Sequence, residues 1–520
     1  MHAVNYKPRM NHSLRSARCI ETRTLRKSWF AHFCVGALTL AITSSLMAED
    51  WAQFRGPNCS GISKSEIALP FEFSSQDNVL WSAEIGDGIG SPIVASGRVF
   101  NSAMKGKNTV LLFCHEMATG KLLWKRSINT GALLDVHETN SHASTTPAAD
   151  DKRVYFYFST VGLMAFDAET GTDAWTLKLP VPYFVFKWGP AMSPVLFDNM
   201  VIFCQDDDLN PAMYAVNKET GSIIWKDDRN DMAVNYSHPV ICETENGPEL
   251  IVGGTGKLIG YDPYSGKRLW YAKTLLRNIK TTPVSHNGII YLSLESSGIA
   301  NQWLATADRS ETGNNDGKLS KEEIQAFVGK AIVPDAFFAK FDQGDTNQDG
   351  LLEGPELEKA FLHPDNVAGA LSAATVQSQR FVQAIKGGGR GAVTLTHVLW
   401  NFADRTPDHI VSPLVVDDRM FVMKGGGITS CFSTGDGEPL WHLRRIPNFC
   451  EYFASPIYGD GKIYIAGENG FVVVIQSSPD LQILAKNDMG ESIVATPAIA
   501  DGHLLIRTRT KIFCVAQLPN

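Results

Sequence analysis

Residues Asp345 to Glu356 read DTNQDGLLEGPE, and their oxygen-bearing side chains fall at fixed intervals. Asp345 stands first, Asn347 third, Asp349 fifth and Glu356 twelfth, while Leu351 offers a backbone carbonyl at seven and Glu353 acts at nine, directly or through water. Three anionic side chains and an amide spaced in this way surround a hard dication with oxygen, as a twelve-residue calcium loop requires. Gly350 occupies the sixth place, where the sharp turn disfavours a side chain. Leu352 at the eighth is the apolar residue through which two such loops pair. The plainer reading of the same run is a solvated acidic loop, but too many positions match for that.

A second loop lies upstream in NNDGKLSKEE. Asn314 falls at three, Asp316 at five, Gly317 at six, Leu319 at eight, Ser320 at nine and Glu323 at twelve. Thr312 then takes the first place and has no carboxylate, so Asp308 or Glu311 would have to substitute through a lengthened loop. A structural half-pair is expected, and calcium binding by Thr312 to Glu323 stays open. The two loops alternate with helix-forming runs, SKEEIQAFVGK, PDAFFAKF and GPELEKAFL, over residues 299–378, so this region resembles an EF-hand pair. In an exported protein such loops bind calcium weakly, roughly in the 0.1–1 mM range, and the ion staples structure rather than sensing.

No other constellation argues for catalysis, and no catalytic residue is assigned. His137, Asn140, Ser141 and His142 lie in DVHETNSHASTTP, in a loop expected at a mouth of the fold. There they bind a small ligand or metal, or more simply satisfy loop backbone groups. Asp206, Asp207 and Asp208 read as a solvated acidic loop. KGGGRG, from Lys386, lacks the Lys-Ser/Thr ending of a phosphate-binding loop and reads as a flexible link. Seven cysteines follow residue 48, an odd number with no CxxC. Most sit in apolar runs such as VIFCQD, which suits buried inert thiols with room for one disulfide.

The elements that position these residues come from a repeat. A proline, after Ser or Thr at all but Pro239, opens a β-rich run at Pro92, Pro147, Pro194, Pro239, Pro283, Pro413, Pro456 and Pro497, at intervals of 55, 47, 45, 44, 130, 43 and 41 residues. A Gly turn followed by Trp closes the unit in ATGKLLW, ETGTDAW, ETGSIIW, YSGKRLW and TGDGEPLW. Short strands at this period predict four-stranded blades arranged radially. The Gly suits positive φ and the Trp packs between sheets. The last unit lacks a Trp strand, whereas NVLWSAEI with Trp81 lies unaccompanied before the first proline, so the N-terminal strand is expected to complete the C-terminal blade and remove two sheet edges. The fold class is all-β, an eight-bladed β-propeller with a helical insertion in the fifth blade. Its segments are 1–48, 49–298, 299–378 and 379–520.

The chain has 520 residues, 44% of them hydrophobic and 20% charged, which describes a folded protein. Its net charge of −8 divides into +6 over residues 1–48 and −14 over the rest, leaving no basic footprint for nucleic acid. The basic start, the apolar run from Trp29 to Met47 and Ala48 have the layout of a removable secretory signal. A periplasmic or extracellular address is expected, with peripheral membrane association only if that segment is retained.

The Gly-Trp repeat resembles that of pyrroloquinoline-quinone-type, or quinoprotein-like, propellers. These include quinoprotein dehydrogenases and the propeller lipoprotein of the outer-membrane barrel-assembly machinery. WAQFRGP (Trp51 to Pro57) and THVLW (Thr396 to Trp400) are similar to exported propellers of the planctomycete type, across nearly all of residues 51–520. For a dehydrogenase the resemblance implies a quinone between a Trp and, in many members, an adjacent-cysteine disulfide, with calcium and an Asp base beside it. This chain has no adjacent cysteines, so calcium is the expected cofactor and quinone is not. A non-catalytic exported module is expected, binding protein partners or a small ligand at the propeller face. The alternative is a quinone-dependent oxidoreductase with an atypical site.

Overall fold

The computed structural model describes residues 49–518 apart from 231–233, 255–256, 274–279, 297–303, 329–334, 362–378, 404 and 408–409. The candidate export signal therefore lies outside the described residues. Eight antiparallel sheets succeed one another along the chain as the blades of one β-propeller. The first blade comprises Ile93–Ala95, Arg98–Lys105, Thr109–Glu116 and Leu122–Asn129. Each blade starts one residue after a marker proline, where the missing N–H costs no ladder bond. Inner strands are buried on both faces, which is why runs such as TVLLFCHE do not alternate. The expected closure is found: Val79–Glu84 pairs antiparallel with Lys511–Ala516, so one blade combines the first propeller strand with the last three.

The fifth blade is interrupted between its second strand, Ile289–Ser296, and its third, Gln379–Lys386. That interval carries helices α1 (Lys321–Val328), α2 (Asp335–Gly344) and α3 (Pro355–Phe361). A two-residue ribbon pairs Leu319 with Leu352 and Ser320 with Leu351. KGGGRG is no loose link. Glu249 of the fourth blade accepts the Gly388 N–H at 2.9 Å and pairs with Arg390 at 3.0 Å, and Gly391–Ala392 adds a parallel strand to that blade.

Neighbouring blades meet through the repeated Trp. Trp124 Nε1 donates to Ala168 O at 3.0 Å, and its ring lies beneath Gly171, where a Cβ would come within 2.6 Å of it. Trp81 with Gly120, Trp175 with Gly221, Trp225 with Gly266 and Trp400 with Gly437 repeat the contact at 2.5 or 2.6 Å. The turn glycine thus answers two demands, a positive φ and contact with an indole face. Gly106 has a similar φ of 66° and nothing within 4 Å of its would-be Cβ, so the two demands can be separated. Gly106→Ala should cost only the left-handed backbone penalty of roughly 1–2 kcal/mol. Gly171→Ala should lower the melting temperature at least twice as far, because overpacking adds to strain; equal shifts in thermal unfolding would remove the steric part of this account.

Candidate functional site

At the axis, the residue before each marker proline donates its backbone N–H to the side chain of its counterpart on the next blade. Ser91 binds Thr146 Oγ1 at 3.0 Å, Thr146 binds Ser193 Oγ at 3.0 Å, and Ser193 binds His238 Nε2 at 3.2 Å. His238 then reaches Thr282 at 3.4 Å, Thr282 reaches Ser412 at 2.9 Å, Ser412 reaches Ser455 at 3.1 Å and Ser455 reaches Thr496 at 3.0 Å. Among the described residues no such bond joins Thr496 to Ser91, the seam that Val79–Glu84 closes.

One end of the channel is crossed by the segment that begins at Trp51. Trp51 exchanges backbone bonds with Val94 at 2.9 and 3.0 Å, and Ala52 O accepts the Ala149 N–H at 2.8 Å. Gln53 Oε1 accepts from Leu196 at 2.8 Å, Arg55 Nη2 donates to Pro413 O at 2.7 Å, and Asn58 exchanges bonds with Ile241 at 2.8 and 2.7 Å. Gly61 O accepts from Tyr458 at 2.7 Å. Six blades are thereby tied to one segment, and the channel becomes a cup. The cup holds about 400 Å3 and is lined by Phe54, His238 and six ring hydroxyls, with Trp188, Tyr452 and Phe453 on its walls.

His238 stands where the other blades have Ser or Thr, a substitution the proline pattern passes over. Its ring stacks on Phe54 at 4.3 Å. Burial, aided by the Arg55 charge, drives its pKa down to about 3. The imidazole is neutral, and because Nε2 accepts from Ser193 the proton is assigned to Nδ1, 3.1 Å from Thr282 Oγ1. Arg55 is fully buried; its Nε and Nη1 have no hydrogen-bond partner, and burial lowers its pKa to about 10.

The expectations for the mouth are met in part. His137 and Asn140 line the cup, whereas Ser141 and His142 line a neighbouring cavity. The His137 ring lies 4.5 Å from Trp188, and Lys280 Nζ lies 4.6 Å over the same indole. Asn140 serves the loop, donating to Trp188 O at 2.5 Å. The acidic run is not solvated, which corrects the sequence reading. Asp206 makes a two-bond pair with Arg229 at 2.8 Å, both side chains wholly buried. Asp207 accepts backbone N–H groups from Tyr183 and Asn210 at 2.8 and 2.6 Å, and Asp208 accepts one from Val185 at 3.0 Å. These carboxylates are buried because they cap the backbone of a wall loop. Burial pushes Asp207 up to about 6.

The helical insert rests on that same loop. Tyr183 meets Phe337 of α2 edge-on at 6.3 Å, Phe186 meets Phe327 of α1 at 6.1 Å, and Lys340 donates to the Asp208 carbonyl. Helix α2 leads directly into Asp345, whose Oδ2 accepts the Gly350 N–H at 2.9 Å. Glu356 Oε1 accepts from the Thr346 hydroxyl at 2.5 Å and from the Thr346 and Asn347 backbone N–H groups at 2.9 and 3.3 Å, and these bonds, the hydroxyl's first, hold its carboxyl below the usual range. Asp345 Oδ1 and Glu356 Oε2 are buried without partners. Asn347 Oδ1 accepts from Asp349, whose own Oδ1 accepts from Leu351, both at 2.9 Å, while Glu353 pairs with Lys318 at 2.8 Å. Among the described residues no three His, Cys, Asp or Glu side chains converge as a ready metal cluster. In the upstream loop Asp308, not Thr312, bonds the sixth-position glycine, with Oδ2 accepting from Gly317 at 3.2 Å.

The seven described cysteines are all free, and six are buried. Burial pushes the Cys59, Cys114, Cys431 and Cys514 thiols up to about 12.

Fold and axis together define a β-propeller of the PQQ-like repeat type. The family described as outer membrane protein assembly factor BamB, of PQQ-like repeats, matches residues 72–177 and 111–345, more than half of the chain, and the chain belongs to it. BamB of Yersinia pestis is 23% identical over 231 residues, which cover 41% of this chain and 54% of that protein. Quinoprotein alcohol dehydrogenase PedH of Pseudomonas putida is 26% identical over 28% of this chain and 24% of its own length. Quinoprotein ethanol dehydrogenase of Pseudomonas aeruginosa is 25% identical over 23% of this chain and 21% of its own length. The chain thus spans about a quarter or less of the dehydrogenases and about half of BamB. Among solved structures, BamB from Moraxella catarrhalis aligns with a TM-score of 0.49 and 11% identity, over 85% of this chain and 98% of that one.

His238 has a testable acid signature. Its folded pKa lies below its unfolded value, so the folded state binds fewer protons between pH 6.5 and about 3, and stability falls as pH falls through that window. His238→Ser, which restores the ring's usual side chain, should flatten the fall in melting temperature between pH 6.5 and 4. An unchanged acid slope would mean that His238 is not held neutral.

Proposed function

We propose that this chain is an exported, calcium-stapled propeller that acts as a non-catalytic binding module, taking a small ligand or the tip of a protein partner into its axial cup. The observation that carries the reading is the cup itself: a cavity on the axis, closed at one end by the Trp51–Gly61 segment and bordered by aromatic side chains. Small-ligand sites have this shape, concave and mostly apolar with a few convergent polar groups. No helix among the described residues is long and apolar enough to cross a membrane.

The insert residues fit calcium. Asp345 and Glu356 each present a buried oxygen with no partner, and Gly350 turns at φ 81° between them. Asp345, Asn347, Asp349, the Leu351 carbonyl, Glu353 and Glu356 would hold the ion, with Glu353 released from Lys318 or acting through water. The bound ion would neutralise the acidic loop and fasten α2 to α3. Asp308 gives the upstream loop the first-position carboxylate that Thr312 lacks. A quinone reading draws on the partial similarity to dehydrogenases, yet a disulfide platform is missing, since all seven described cysteines are free.

Calcium at about 100 times its dissociation constant should stabilise the protein by about 2.7 kcal/mol, and Asp345→Ala with Glu356→Ala should abolish that gain. Calorimetric calcium affinity unchanged by the double substitution would refute the site. Pyrroloquinoline quinone added with calcium should leave no bound quinone spectrum and no dye reduction with alcohols or sugars; a bound, reducible quinone would overturn the non-catalytic reading.

A further inference from the structure

We propose that the axial cup seats a carboxylate, carried by a small organic acid or by a peptide C-terminus, with its anionic head on the hydroxyl ring and its apolar body against Ile89, Tyr452 and Phe453; this rests on reading the cup as a binding site. The reason is an inventory of hydrogen-bonding capacity. A hydroxyl has one proton to donate and two lone pairs. Thr146, Ser193, Ser412, Ser455 and Thr496 each accept the backbone N–H of the preceding blade. None of the five donates its proton to a protein acceptor among the described residues. All five line the cup, and all are at least nine-tenths buried.

Each of the five keeps one proton and one lone pair, and the remaining groups at the base tilt the balance toward donors. His238 contributes no free acceptor, because Ser193 occupies Nε2 and Nδ1 faces Thr282. Ser91 adds a further hydroxyl to the lining and accepts none of the ring bonds. Arg55 follows Phe54 in the floor segment, wholly buried, with two guanidinium nitrogens unpartnered and no ion pair among the described residues. Lys280 and Glu451 are the lining's charged side chains, one of each sign, so they do not set the preference.

A buried base whose hydroxyls still have protons to give, with the Arg55 guanidinium in the floor segment, suits a group that only accepts. An ionised carboxylate does so through two oxygens, and hydrogen bonds to an ionised acceptor are about twice as strong as neutral ones. Hydrocarbon would leave the donors unanswered, and a cation would oppose Arg55. At about 400 Å3 the cup admits a single aromatic ring with its acid group, or the last residue of a peptide.

Titration calorimetry of the full chain with benzoate, N-acetylphenylalanine and their neutral amides tests this. Both acids, or one of them, should bind at least tenfold more tightly than the matching amide. Binding of benzoate alone assigns a small acid, and binding of N-acetylphenylalanine alone assigns a peptide C-terminus. Ser91→Ala leaves every ring bond in place and should weaken acid binding severalfold without lowering the melting temperature; Ser455→Ala should weaken it likewise. Amides that bind as tightly as acids overturn the carboxylate while leaving the cup a binding site. Acids whose affinity neither substitution changes bind elsewhere and overturn it too. Millimolar acids and amides that all fail to bind overturn both the proposal and the reading it rests on.

Discussion

Each blade presents to the axis one backbone N–H and one side-chain acceptor, and the bond between that N–H and the next blade's acceptor is the interaction on which the rest of the molecule depends. It repeats through seven of eight interfaces at 2.9–3.4 Å. The proline that follows starts the innermost strand and fixes where that side chain points. Farther out, the Trp–Gly contact holds the same sheets at five interfaces. Three interfaces depart from it, one of them because the last strand of the seventh blade, Ile483–Asp488, carries no Trp. Trp270 donates to the Glu249 carboxylate at 2.7 Å, because the KGGGRG strap replaces the turn it would meet. Trp441 Nε1 is buried without a partner, opposite a blade whose last turn carries no glycine.

The propeller was legible because its signals are local and repeated. Proline spacing, the Gly-Trp turn and the orphan strand around Trp81 each name a blade, and their periodicity dictates the number. The proposed calcium loop stands out in the sequence for a similar reason, since all its candidate ligands lie within twelve residues. What escaped depended on distant partners. Asp206, Asp207 and Asp208 look like solvated acids until Arg229 and the Tyr183–Val185 backbone are brought to them. Residues 51–61 carry no sign that their hydrogen bonds lie on six separate blades. His238 alone left a trace, as the one ring position that is neither Ser nor Thr, but its meaning needs the circle.

The helical insert and the cup share a wall. Residues Tyr183 to Trp188 turn Tyr183, Val185 and Phe186 toward the helices and Trp188 toward the cavity. Asp207 and Asp208 fix that loop from behind, and Lys340 ties α2 to the same place. An interruption of the fifth blade thus reaches the loop between the second and third, which places the insert's core beside the mouth. The buried carboxylates are what make the join firm, since each satisfies backbone donors that the loop could not otherwise bury.

This inner circle is a buried hydrogen-bonded chain, open at the Thr496–Ser91 seam, and it shapes the cup. Amide hydrogen exchange at Ser91, Thr146, Ser193, His238, Thr282, Ser412, Ser455 and Thr496 tests it most directly. The first seven should exchange as slowly as the central strands, with Thr496 at the seam measurably faster. Exchange of all eight at the rate of surface loops would contradict the account.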